Sequence, residues 1–156
     1  MKKTIILALV LLMVVFSVSA ASVSADKLIP GDQADGSVLG DGFTLVLNGG
    51  SAAVNPAEGI AYTSDGLEYS QMLTLTGDAS LSFDAAAGNI LKLTADVPAD
   101  GSYSNVKISS SDSMDEIGGE SSDGGTVYYE YEIPADGSYS LSSPDGNVSI
   151  YSLSIE

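Results

Sequence analysis

Seven Asp-Gly pairs punctuate this chain, at 35-36, 41-42, 65-66, 100-101, 123-124, 136-137 and 145-146. Asp bonds back to its own backbone and Gly accepts a positive φ, so each pair favours a tight turn. Between and around them lie short runs rich in Val, Ile, Leu and Tyr: 43–47, 60–63, 69–75, 80–83, 90–97, 103–108, 126–133, 139–141 and 148–155. No window after the first 25 residues keeps apolar positions at helical spacing for three turns. Nine short strands bounded by turns predict an all-β fold, an antiparallel two-sheet β-sandwich of jelly-roll type.

The first segment has a different design. Lys2 and Lys3 precede an apolar run of 12 residues, 5–16, which gives way to Ser17-Val18-Ser19-Ala20. That layout is a helical signal peptide, since a membrane span needs about 20 apolar residues. Cleavage can follow Ala20 or Ala25, and the second choice leaves 131 residues. The expected organisation is a signal peptide over 1–25, a flexible acidic lead-in over 26–42 with room for one edge strand, and one sandwich domain over 43–156. A secreted or cell-surface chain follows, with no stable membrane span after cleavage.

Composition removes much chemistry. The 156 residues hold 5 basic side chains, all lysines, against 21 acids, a formal charge of −16, with neither His nor Cys. Cys/His metal sites, disulfides and Ser-His or Cys-His nucleophiles are thereby excluded. An acidic surface without Arg repels phosphate backbones, so nucleic acid is not an expected partner. Ser24-Ala25-Asp26-Lys27 and Ser104-Asn105-Val106-Lys107 match a Ser-x-x-Lys spacing, but the companion motifs of penicillin-recognising enzymes are missing. A non-enzymatic protein is expected.

One internal echo is present. Val97-Pro98-Ala99-Asp100-Gly101-Ser102-Tyr103-Ser104 recurs 36 residues later as Ile133-Pro134-Ala135-Asp136-Gly137-Ser138-Tyr139-Ser140. Both copies read as hairpin corners, in which Pro presets φ and Tyr opens the return strand. A symmetric hairpin at the first copy sets Lys92 opposite Lys107, Thr94 opposite Asn105 and Asp96 opposite Tyr103, with apolar pairs on the other face. Asp84 is a candidate to neutralise the lysine pair. The second copy, paired the same way, sets Glu130 against Leu141, which requires a bulge in at least one copy.

The stretch Gly66-Leu67-Glu68-Tyr69-Ser70-Gln71-Met72-Leu73-Thr74-Leu75-Thr76-Gly77, with Leu81-Ser82-Phe83, Leu91-Lys92-Leu93, Tyr131, Gly137-Ser138-Tyr139 and Val148-Ser149-Ile150-Tyr151, resembles the β-sandwich modules appended to secreted microbial pectate lyases and related polysaccharide enzymes. The resemblance covers about 43–156 and rests on core positions and turn glycines. It implies a carbohydrate-binding or surface-associating module without catalysis of its own.

Sugars stack their apolar faces on aromatic rings while amides and carboxylates bond the hydroxyls. Trp is absent, so Tyr must serve. Alternation along 126–133 places Val127, Tyr129, Tyr131 and Ile133 on a core face and Tyr128, Glu130 and Glu132 on the other. Tyr128 with Glu130 and Glu132 is therefore one candidate glycan surface, and Lys92, Asn105 and Lys107 on the expected hairpin are another, suited to an acidic sugar. Calcium is the cofactor that an oxygen-rich composition permits. Its densest candidate ligands are Asp112, Asp115, Glu116, Glu120 and Asp123, in a Ser/Gly stretch expected to be a loop. Asp32-Gln33-Ala34-Asp35-Gly36 fails the EF-hand spacing. Three functions stay open: a non-catalytic module that binds polysaccharide, an acidic structural or adhesive envelope protein, and a small hydrolase working with paired carboxylates.

Overall fold

The computed structural model describes residues 20–62, 68–97, 104–111, 114–119, 125–143 and 147–156. The expected leader helix lies outside the described residues. Numbered along the chain, one sheet holds β1 (Ala21–Ser24), β2 (Gly31–Asp32), β5 (Ser51–Tyr62), β6 (Glu68–Thr76), β8 (Ile90–Val97), β11 (Gly125–Glu132) and β13 (Asn147–Ile155). The other holds β3 (Val38–Leu39), β4 (Phe43–Val46), β7 (Ser80–Ala85), β9 (Ser104–Ser109), β10 (Met114–Gly119) and β12 (Gly137–Ser142). The spatial orders are β11-β8-β13-β6-β5-β2 and β10-β9-β12-β7-β4-β3, with every pairing antiparallel. β1 adds to the second half of β13, beyond the part that β6 pairs. The expected antiparallel sandwich is the fold.

Period-two alternation drives one face of each strand inward. Leu73, Leu75, Leu91, Leu93 and Leu153 from the first sheet meet Phe43, Leu45, Leu81, Ile108 and Leu141 from the second, each at most 1% exposed. Each such side chain contributes about 1.5–3 kcal/mol of burial free energy, and in a chain without cysteines this core holds the fold unaided. Phe43, Phe83 and Tyr139 form a row within it, with ring centroids 5.5 and 5.9 Å apart.

The structure departs from the sequence reading in four places. β9 does not return along β8: it lies in the opposite sheet, between β10 and β12, so Lys92 and Lys107 are not neighbours. The second Pro-Ala-Asp-Gly corner likewise carries the chain from β11 in one sheet to β12 in the other. Alternation tells which face of a strand is buried but not which strand lies beside it, and a corner between sheets satisfies the same pattern. Tyr139 fixes that corner by donating its hydroxyl to the Ala135 carbonyl at 2.7 Å, and Asp136 accepts the Ala87 amide at 2.8 Å. The tip of the first copy, 98–103, lies outside the described residues.

The segment 26–42 is folded. It supplies a 3₁₀ turn (Ala25–Lys27), β2, β3 and the buried Leu39, and Asp26 Oδ1 accepts the amides of Ser70 and Gln71 at 2.9 and 2.8 Å. β5 begins at Ser51 rather than near residue 60, because small alternating residues, Ala52 and Val54, suffice where the strand is flanked on both sides. Its Pro56 lies past the residues that β2 pairs, and the register with β6 shifts between Pro56 and Ala61. The expected acidic loop contains β10 instead, paired residue for residue with β9 from Met114 opposite Ser109 to Gly119 opposite Ser104.

Candidate functional site

The outward face of the first sheet is built from two polar rows that register alone defines. Tyr128 on β11 lies opposite Thr94 on β8, Thr94 opposite Ser152 on β13, and Ser152 opposite Ser24 on β1. In the next row Glu130, Lys92, Ser154 and Ser22 follow in the same order. Rows on one face of a sheet are two residues apart, about 7 Å, and strands about 4.8 Å apart, so these side chains tile a surface four strands wide. The intervening residues Leu91, Leu93, Ala95, Leu153 and Ile155 point into the core, which locks the polar set outward: a slip of one residue would bury it.

The surface is not flat. A bulge between Ile150 and Ser152 puts Tyr151 outside the main core, where its ring meets Tyr69 at 5.6 Å and its hydroxyl donates to Asp96 at 3.0 Å. The Tyr69 hydroxyl reaches Ser152 Oγ at 3.1 Å. The Tyr69 ring borders a hollow of about 270 Å³ lined also by Lys92, Thr94, Tyr128, Ser152, Ser154 and Glu156. Ser152 and Ser154 also line an adjoining hollow of about 400 Å³ that runs towards Ser22, Ser24, Lys27 and Asp41.

Tyr128 is 45% exposed, the one aromatic that stands out from the surface among the side chains that the structure describes. Its hydroxyl donates to Glu130 Oε1 at 2.8 Å, a bond that runs along β11 from the first row to the second. Partial burial, then the Glu130 bond, holds the phenol above its ordinary pKa, so it stays a neutral donor. Lys92 pairs with Glu156 at 2.5 Å, and that bond raises the lysine pKa. Cation and carboxylate thus stand together at one end of the hollow, while serine and threonine hydroxyls occupy the floor. Such a set offers donors, acceptors and one ring face, the groups that recognise a polyol.

Of the expected site residues, Tyr128, Glu130 and Lys92 converge here. Glu132 is exposed on the same strand, one row further, opposite Ile90. Lys107 and Asn105 are on β9 in the other sheet, opposite Glu116 and Gly118, and take no part in this face. Asp84 accepts the Ser138 hydroxyl rather than neutralising lysines. Asp115 accepts the hydroxyl of Tyr131, joining β10 to β11 at the sandwich edge. Asp35 Oδ1 accepts the Leu47 amide at 2.9 Å, the work of a turn residue. Asp112, Glu120 and Asp123 lie outside the described residues, and among the described residues no three carboxylates converge to hold a metal. Sequence reasoning missed Ser22, Ser24, Ser152, Ser154, Tyr69 and Glu156. The first four were within reach, since Ala21-Ser22-Val23-Ser24-Ala25 and Ser152-Leu153-Ser154-Ile155 alternate with period two.

No family model matches the chain, and no curated protein matches it. Solved structures do. A domain from work on glycan recognition by the Ruminococcus flavefaciens cellulosome aligns with TM-score 0.53 at 15% identity over 88% of this chain and 92% of its own. The K2 cleaved adhesin domain of Lys-gingipain aligns with TM-score 0.54 at 9% identity over 88% and 98%. The CBM22-1 xylan-binding domain of Paenibacillus barcinonensis Xyn10C covers 86% of this chain and 91% of its own at 13% identity, with TM-score 0.47. At these identities the first two alignments speak for the fold alone: the chain shares, nearly end to end, the two-sheet sandwich of a cellulosomal domain and an adhesin domain.

Proposed function

We propose that this protein is an exported, non-catalytic module that binds carbohydrate on the outward face of its first sheet. One observation carries the reading: an exposed Tyr128 ring stands beside a row of hydroxyls and a Lys92–Glu156 pair on a rigid sheet face. The ring supplies the stacking surface, Glu130 and Glu156 accept sugar hydroxyls, and Thr94, Ser152 and Ser154 both give and accept. The resemblance to modules carried by pectate lyases, and the sandwich fold shared with a domain from glycan-recognition work, support the same reading. The leader pattern of residues 1–20 supports export to the outside or the cell surface.

The test is a glycan array on the exported protein, run with calcium and again with a chelator, alongside Tyr128→Ala and Lys92→Ala. Binding that weakens in both variants locates the face. Stacking of this kind contributes about 1 kcal/mol, so Tyr128→Ala should lose about fivefold in affinity. Loss of binding with chelator alone would bring the stretch 112–123 into the site. No binding to any plant, microbial or host polysaccharide overturns the reading, and an acidic structural or adhesive envelope protein then takes its place.

A further inference from the structure

We infer that the exported chain is cut between Ala20 and Ala21, so that β1 is the first element of the mature domain and not the tail of its leader. The inference rests on the export reading. The tripeptides Val18-Ser19-Ala20 and Val23-Ser24-Ala25 are identical, and each offers the small residue that a signal peptidase requires before the cut. Sequence motif does not choose between them.

The fold does. Residues 21–24 pair along β13, from Ala21 opposite Ile155 to Ser24 opposite Ser152, and Ala21, Val23 and Ala25 are 6, 5 and 2% exposed. Ser22 exchanges both backbone bonds with Asp41, at 3.2 and 2.9 Å, which ties β1 to the turn between β3 and β4. That turn is shaped to receive it. At Gly40, φ is +58° and a Cβ would lie 2.1 Å from the Ser22 carbonyl oxygen; at Gly42, φ is +99° and a Cβ would lie 3.0 Å from that of Ala21. Two glycines in the left-handed region, one of them in contact that excludes any side chain, are placed against a segment that a cut after Ala25 would discard.

That later cut would also strip Ser22 and Ser24 from the two polar rows and leave the second half of β13 unpaired on one side, an exposed edge of apolar Leu153 and Ile155. Signal peptidase acts before folding, so burial does not shield the second tripeptide. Position does: Ala20 follows the end of the apolar run at Phe16 by four residues, Ala25 by nine. The bond nearer the membrane-held run is presented first, and its cut leaves the complete sheet.

The full chain, expressed in a secreting bacterial host, should appear outside the cytoplasm with Ala21 at its N-terminus, read by intact mass and N-terminal sequencing. Ala20→Tyr, which places a bulky residue before the cut, should make the precursor accumulate. An exported parent chain beginning at Asp26 overturns the inference and leaves export standing. A chain found only uncut overturns both.

Discussion

Tyr131 shows how one side chain joins the two sheets. It sits half-buried against the core from β11, and its hydroxyl donates to Asp115 on β10 in the opposite sheet. Burial first, and the Asp115 carboxylate second, push its pKa up to about 12. Because the folded value lies above the unfolded one, the proton is bound more tightly in the native state. The stability this contributes is fully present below pH 10 and is lost as pH rises towards 12. A tyrosinate absorbance titration should show this group ionising after the ordinary phenols. Asp115→Asn should lower its midpoint without returning it to 10, since burial, the larger cause, remains. A midpoint unmoved by the substitution would show that the bond is not formed in solution. At Tyr128 the question is different, because ring and hydroxyl have separable roles. Tyr128→Phe keeps the stacking surface and loses only the donor to Glu130, so glycan affinity should fall less than in Tyr128→Ala, by about twofold against about fivefold. Equal losses in the two variants, measured by calorimetry, would place the ligand on the hydroxyl rather than the ring.

The elements carry a lesson about what alternation can encode. Along β11 the pattern Val127, Tyr128, Tyr129, Glu130, Tyr131, Glu132 sorts inward from outward residues, and the structure follows it. That alternation alone makes Tyr128 and Glu130 legible as surface candidates. Lys92, Asn105 and Lys107 form the second candidate only if β9 returns along β8, and which strand lies beside β8 is a choice made by the whole sheet and not by the local pattern. β10 was illegible for another reason: Met114-Asp115-Glu116-Ile117 has two apolar residues, and the strand exists because β9 offers it an edge. β1 escapes the pattern because it directly follows the stretch that reads as a leader. The strands that flank each Pro-Ala-Asp-Gly-Ser-Tyr copy, in contrast, lie in different sheets, β8 and β9 around the first and β11 and β12 around the second. In the copy that is described, the Tyr139 hydroxyl bonds the carbonyl four residues upstream. Tyr139→Phe should cost about 1 kcal/mol in chemical denaturation, the usual net value of such a bond. If the repeat reflects one corner used twice, Tyr103→Phe should cost the same. An unchanged midpoint for Tyr103→Phe would mean that sequence identity at the first corner does not carry the bond.

At the scale of the molecule, charge opposes the core. The sequence carries a formal charge of −16, and the proposed cut, by removing Lys2 and Lys3, would leave three lysines against 21 acids, a charge of −18, on a domain with one ion pair, Lys92–Glu156, between described side chains. Repulsion spread over such a surface works against the compact state and is screened by salt. Raising ionic strength from about 0.01 to about 0.15 M shortens the screening length from about 30 to about 8 Å, so the denaturation midpoint should rise over that interval. Core burial is nearly indifferent to salt at these concentrations, which makes the rise a measure of the charge term alone. Binding should respond differently. The proposed face bonds hydroxyls through Ser, Thr, Glu and one stacked ring, and a neutral glycan brings no charge into the protein's field. Its affinity should therefore stay flat across the interval in which the midpoint climbs. An affinity that moved strongly with salt would identify an anionic ligand, for which the cation at Lys92 would have to outweigh the field of the whole acidic surface.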